Sequence, residues 1–252
     1  MIEQIVGVDG CRAGWLACFR QNEDVQIRLF ATIEDLAQSL PGYTAYIDMP
    51  IGLPEAEARQ VEKEARSFLG KRACCVFSVP SRSAVYASSY AASCATNFSL
   101  RGMKLSRQTW NLCAKIKQLD QFIRHGGSAM EFLEAHPELV FCLLKGSPML
   151  FSKHTQEGRK QRIALLDSAG LPITALLDQQ AGRYRRSQVA VDDILDAAVL
   201  FALSLFEPTP LLAHTVVELA GWHASGKMKI CRSACSPQLR TWLSLCLAIR
   251  PI

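Results

Sequence analysis

The sequence predicts an α/β fold on a mixed five-stranded sheet, an antiparallel meander followed by parallel strands, with helices on both faces and a helical insertion. Three observations lead there. Three short apolar runs separated by turn residues fill the first 30 positions, a capped helix joins them to a fourth such run, and helical spacing dominates most of the remaining chain. The 252 residues, 49% hydrophobic and 20% charged, suit one large domain with a sizeable core.

The elements are taken in chain order. Glu3 to Asp9, Trp15 to Arg20 and Val25 to Phe30 are apolar or alternating runs, separated by Gly10-Cys11-Arg12-Ala13-Gly14 and Gln21-Asn22-Glu23-Asp24, as a meander requires. Thr32, with Asp35 three residues on, opens a helix to Leu40 that Pro41-Gly42 stops. That helix lets the next run, Tyr43 to Asp48, lie parallel to the first strand and beside it. Glu55 to Leu69 reads as a helix with Arg59, Glu62, Lys63 and Arg66 exposed and Gly70 as its C-cap. Residues 73–105 show no clear period and read as a long ordered insertion. Ser106 to Arg124 is helical, closed by Gly126-Gly127, and Met130 to Ala135 supplies the fifth strand. Pro137 suits the first turn of another helix. Further helices cover Glu157 to Ser168 and, after the basic turn Arg183 to Arg186, Asp192 to Phe206, which Pro208 and Pro210 end. Meander, helix and strand in this order begin an RNase H-like domain, placed at residues 1–212 with an insertion over about 55–125. Residues 213–252 form an irregular tail, with Lys227 to Ile230 as an edge strand.

Composition narrows the function classes. A net charge of +5 permits contact with polyanions without announcing it. Met1 leads straight into a strand pattern without a basic or apolar leader, and the run Ala197 to Phe206 is about half the roughly 20 residues that cross a bilayer, so a cytoplasmic protein without membrane partners is expected. The ten cysteines are irregularly spaced and read as reduced thiols; Cys74-Cys75 and Cys231-x-x-x-Cys235 do not make a zinc pattern. Gly7-x-x-Gly10 and Gly10-x-x-x-Gly14 lack the strand-to-helix setting of a phosphate loop.

The chemistry lies in the acids. Asp9 ends Ile5-Val6-Gly7-Val8 and Asp48 ends Ala45-Tyr46-Ile47, so two neighbouring parallel strands would bring both carboxylates to one sheet edge. At about 4 Å two such groups repel strongly unless a proton or a cation joins them. Magnesium or manganese, hard and oxygen-seeking, is the natural cofactor. Asp193 and Asp196 share a helix face three residues apart. The helix dipole accounts for an acid at Asp192 or Asp193, and Asp192 is read as the cap, but Asp196 stands beside Ala197-Ala198 on an apolar helix where a carboxylate is costly. Glu134 is a further candidate metal ligand. His136, Arg66, Arg72, Arg82, Lys115 and Lys153 are candidate substrate-binding groups for phosphate, with Arg59 a weaker one.

Five stretches carry a resemblance: Gly7 to Trp15, Ile47 to Pro54, Ala65-Arg66-x-x-Leu69-Gly70-x-Arg72, Glu134-x-His136-Pro137-Glu138 and Asp192 to Ala197. Together they resemble the predicted RNase H-like nucleases of domain-of-unknown-function family 429. The resemblance implies an RNase H-like sheet whose acidic site is Asp9, Asp48 and the Asp192 to Asp196 cluster, without fixing a substrate.

The expected function is metal-dependent hydrolysis of phosphodiester bonds in nucleic acid or another phosphate-bearing substrate. Two cations held by Asp9, Asp48 and Asp193 or Asp196 would activate water and stabilise the leaving oxygen. Two alternatives stand beside it, a catalytically inactive RNase H-like binding module and an ATPase-like nucleotide-binding protein, the latter normally needing two such domains. Strand type, sequence preference and oligomeric state have no signature in the chain.

Overall fold

The computed structural model describes residues 4–126 and 129–205. In chain order the elements are β1 (Ile5–Cys11), β2 (Gly14–Gln21), β3 (Asp24–Phe30), α1 (Ile33–Ser39), β4 (Thr44–Ile47), α2 (Gln60–Leu69), α3 (Arg82–Val85), α4 (Tyr90–Arg101), α5 (Arg107–His125), β5 (Glu131–Glu134), α6 (Pro137–Lys145), α7 (Gln156–Ser168), α8 (Ile173–Gln180) and α9 (Val191–Phe201). Short 3-10 turns cover Gly70–Cys75 and Ala202–Leu205. The residues fall into two compact units, one built from the chain up to Met49 and again from Gln121, the other from Pro50–Asp120.

The first unit holds one sheet in the order β3-β2-β1-β4-β5. β1, β2 and β3 pair antiparallel, whereas β4 pairs parallel to β1 and β5 parallel to β4, the mixed sheet that the sequence predicts. The meander forms because its turns are short. The change to parallel pairing follows from α1, a crossover started by a capping box in which Thr32 Oγ1 accepts the Asp35 N–H and Asp35 accepts the Thr32 N–H. Burial runs unbroken along the middle strands: Val6, Val8, Leu16, Ala17, Cys18, Phe19, Ala45 and Ile47 have no exposed surface, so both faces of the sheet are covered.

α9 packs on β1, β2 and β4. Gly7 makes the approach to β1 possible. A Cβ at Gly7 would collide with the Ala197 carbonyl oxygen and the Phe201 backbone nitrogen, so the helix backbone rests on the strand with no side chain between them. The helix is apolar from Ile194 to Phe201 and wholly buried there, apart from the carboxylate of Asp196 within the same run.

The second unit differs from its expected reading in two places. Glu62 is buried and not exposed: Arg66 Nη2 stands 3.6 Å from its Oε2, Arg59 Nε 4.0 Å from its Oε1, and the Val79 N–H donates to it at 3.3 Å. The helix carrying it begins at Gln60, five residues later than the charge pattern suggests. The stretch over 73–105 contains α3 and α4, whose helical period is hidden because α4 buries Ser93, Cys94 and Asn97 while Phe98 and Leu100 stay 55% and 40% exposed. In the first unit α8 has no counterpart in the sequence reading; it buries Ile173, Leu176 and Gln180 over only eight residues. α9 ends at Phe201 and tightens into the 3-10 turn.

Among the described residues the seven cysteines form no disulfide. No helix among the described residues is long and apolar enough to cross a membrane. The glycine stop at Gly127, the prolines 208 and 210, the 213–252 tail with its edge strand, and Cys231 and Cys235 lie outside the described residues.

Candidate functional site

The register of the sheet places the first two acids. Val8 pairs with Ile47, and the next ladder bond, Asp48 N–H to Val8 O at 3.0 Å, carries the alignment one residue further, so Asp9 and Asp48 lie side by side on adjacent strands, about 5 Å apart at the backbone. Side chains alternate along a strand, so Asp9 and Asp48 share the face of Gly7, on which α9 lies. Asp196 arrives on that face from the helix. Three carboxylates from three elements therefore lie on one face of the sheet, towards the C-terminal end of β4.

Burial dominates the electrostatics of these acids, and charge on charge adds to it. Burial raises the Asp9 pKa well above the usual aspartate range, and the charges of Asp196, Asp48 and Asp193 raise it further. Burial raises Asp48 too; His136 and Lys153 counter that rise and the charge of Glu138 adds to it. Asp196 is pushed up to about 6 by burial, which the Lys153 ammonium opposes while Asp48 and Glu138 add to it. Asp9 has one hydrogen bond to ease its charge, from the Gly10 N–H to Oδ1 at 2.8 Å.

Lys153 stands among these acids. Its Nζ lies 2.5 Å from Asp196 Oδ2. Burial acts to lower its pKa, but the attraction of Asp196, Asp48 and Asp9 wins and holds the ammonium above its ordinary value. The segment bearing it is tied at several points. Thr155 N and Oγ1 both donate to Ser152 O, Thr155 caps α7 at Gly158 N, and Arg162 Nη1 donates to Phe151 O at 3.2 Å and Gly158 O at 2.9 Å. Arg162 has no exposed surface, and its Nη2 pairs with Glu138 Oε1.

One comparison decides the affiliation of this chain. The family described as Protein of unknown function (DUF429) matches residues 7–205, a span that takes in all of the acids above. The chain belongs to the DUF429 family. No curated protein and no solved structure matches it.

The remaining candidate residues of this DUF429 chain divide between the site and elsewhere. Asp193, not Asp192, takes the capping role: its Oδ2 accepts the Ala190 N–H at 2.8 Å. Burial raises its pKa, which that hydrogen bond, Lys153 and Arg12 counter. Asp192 Oδ2 instead faces His154 Nδ1 at 3.8 Å. His136 is the N-cap of α6, its Nδ1 accepting the Glu138 N–H at 3.2 Å. Glu134 is a correction. It pairs with Ile47, level with Val8, and the alternation of the strands directs it to the face away from Asp9 and Asp48, so it is not a ligand beside them. Arg66, Arg72, Arg82 and Lys115 belong to the second unit. There Arg66 donates to Val76 O and Ser78 Oγ at 3.0 and 2.9 Å, and Arg82 Nη2 pairs with Asp120 Oδ1 at 3.2 Å, with Tyr86 Oη donating to Asp120 Oδ2 at 2.8 Å. These arginines brace their own unit.

Glu138 and Arg162 are the residues that sequence reasoning misses as parts of the site. The signal for Glu138 was its place in Glu134-x-His136-Pro137-Glu138; Arg162 had none, being one basic residue of a helix rich in them. The donor chemistry at the edge fits a hard divalent cation, because buried oxygen donors that repel one another gain most from one. Among the described residues no three His, Cys, Asp or Glu side chains already gather in metal-holding geometry.

Proposed function

We propose that this chain is a metal-dependent nuclease of RNase H-like type, hydrolysing phosphodiester bonds. One observation carries the reading: Asp9, Asp48 and Asp196 come from two adjacent strands and one helix to one buried side of the sheet, where burial raises all three pKa values, the charges of Asp196 and Asp48 raise Asp9 further, and that of Asp48 raises Asp196. Such repulsion costs stability and persists where the charge is used. Bound there, magnesium or manganese would polarise a phosphoryl oxygen and supply an activated water. The chain's own residues do the rest. Asp9, Asp48 and Asp196 would hold the cation, Asp193 fixes the start of α9 so that Asp196 keeps its place, and Lys153 would offset negative charge as a phosphate approaches.

The test is cleavage of single- and double-stranded DNA and RNA by the purified protein in magnesium or manganese. Cleavage is expected to require the metal and to fall at least about 100-fold in Asp9→Asn, the scale on which one electrostatic catalytic group acts. Equal cleavage by Asp9→Asn and the wild type would overturn the assignment. The Lys153–Asp196 pair favours a second reading, a binding module whose acids are satisfied internally. In that case no nucleic acid is cut and millimolar magnesium leaves Tm unchanged.

A further inference from the structure

We propose that the second unit carries a binding surface for single-stranded nucleic acid on one flank of α5, built from Lys104, Arg107 and Lys117 with the rings of Tyr86, Tyr90 and Trp110. It stands apart from the metal-dependent reading above, whose acids belong to the first unit. Charge is the first observation. Between Glu64 and Asp120 the chain has nine lysines and arginines and no aspartate or glutamate, although the whole sequence holds 23 acids and a net charge of only +5. Pro50–Asp120 as a whole sets eleven basic residues against five carboxylates, an excess larger than that of the entire chain. The carboxylates nearest the run are already matched: Glu62 faces Arg59 and Arg66, and Asp120 takes Arg82 Nη2 and the Tyr86 hydroxyl. A surface of this sign attracts a polyanion.

The second observation is how the cations are held. Arg107 Cζ lies over the Tyr90 ring, 3.8 Å from its centre, the Trp110 ring is 6.2 Å from the same ring, and Lys117 Nζ lies over Tyr86 at 5.1 Å. Arg107, Trp110 and Lys117 follow one another on α5 at steps of three and seven, so they share a flank, while Thr109, Cys113, Ile116 and Leu119 are buried. The tyrosine hydroxyls anchor the rings, Tyr90 Oη donating to Leu105 O at 2.9 Å and Tyr86 Oη to Asp120. Lys104 and Arg107 are exposed, and Lys117 and Trp110 half-buried. None of these three cations has an ion-pair partner among the described residues. A guanidinium resting on a tyrosine is already oriented, with its outer face open to a base and its N–H edge to a phosphate. Flat groups set among cations suit unpaired bases, which a duplex keeps stacked inside.

The experiment is fluorescence anisotropy of the full chain with labelled oligo(dT) and oligo(U) of about 20 nucleotides, in chelator so that binding is read without cleavage. Both are expected to bind at least about tenfold tighter than a duplex of the same length. Between about 50 and 200 mM salt the logarithm of affinity should fall linearly with that of salt. Changing Lys104, Arg107 and Lys117 together to Gln should flatten that slope by about 2, three contacts at about 0.7 each. Lys104→Gln alone, at an exposed side chain, should flatten it by about 0.7, and it keeps the test if the triple variant does not fold. Trp110→Leu is expected to weaken binding at least about fivefold. Lys160→Gln, at an exposed cation of α7 in the first unit, is expected to leave affinity and slope as in the wild type. No binding, a slope that the Gln variants leave unchanged, an unaltered affinity in Trp110→Leu, or a duplex bound as tightly as a single strand would overturn the proposal. Binding to vesicles of anionic phospholipid without binding to oligonucleotide would overturn it too. Binding without metal-dependent cleavage supports this surface and counts against the nuclease reading alone.

Discussion

Asp9 shows at the scale of one residue what the edge costs. Its carboxylate is buried beside three others, and its raised pKa means that the folded chain binds a proton more readily than the unfolded chain, for which the ordinary value is 3.8. Stability therefore declines as pH rises above that value and the group ionises. In chelator at pH 7, Asp9→Asn is expected to melt higher than the wild type, by at least the 2–4 °C that about 1 kcal/mol gives in a chain of this size. The difference should close towards pH 4, and thermal melts across that range check it; an Asn variant less stable at pH 7 would contradict the charge argument. Asn retains the oxygen that accepts the Gly10 N–H, so the comparison isolates charge. Under the proposed function magnesium is expected to reverse the order, since the wild type alone would gain from binding it, by about 2.7 kcal/mol at a hundredfold excess over Kd. Both acids at the strand ends were legible in the sequence, because an aspartate closing an apolar run has a position fixed by the strand before it. Lys153 was legible only as a cation. Its partner lies on another element, and nothing in a local pattern names it.

Elements bring the remaining parts together. β1 and α9 meet through Gly7, and Gly7→Ala is expected to cost about 3 kcal/mol or more, since the added methyl meets backbone that cannot rotate away. Urea unfolding measures it, and a loss under about 1 kcal/mol would show that the helix shifts freely. α6 and α7 are joined by Glu138 and Arg162; Arg162→Met leaves a buried carboxylate without that partner and is expected to cost about 3–5 kcal/mol. A second readout separates bracing from mere stability: under the proposed function, Arg162→Met should also loosen Lys153 and weaken Asp9-dependent binding of Mn2+. The strands could be read from their short apolar runs, and the amphipathic helices because one face of each is apolar. α4 could not, since its buried face is Ser93, Cys94 and Asn97, and α8 is too short to establish a period. Glu134 shows the limit of motif reading, for one residue of offset along β5 turns a candidate ligand to the other face.

For the molecule as a whole, the order of the sheet and the placement of acids on it followed from sequence, whereas the network of Lys153, Arg162 and Glu138 depended on contacts between distant segments. The close seat of α9 on Gly7 has a consequence for how the protein is made. Asp9 and Asp48 leave the ribosome early, while the helix that covers them and carries Asp196 is among the last described parts of the chain to be synthesised. Until then β1 has a bare glycine groove and two crowded carboxylates on one face, and folding waits on a pairing that spans nearly the whole described sequence. A chain ending before Val191 is expected to show no cooperative melt by circular dichroism; a sharp transition would mean that the sheet closes without its helix. Nascent chains would thus be barred from assembling the acidic edge until α9 has emerged.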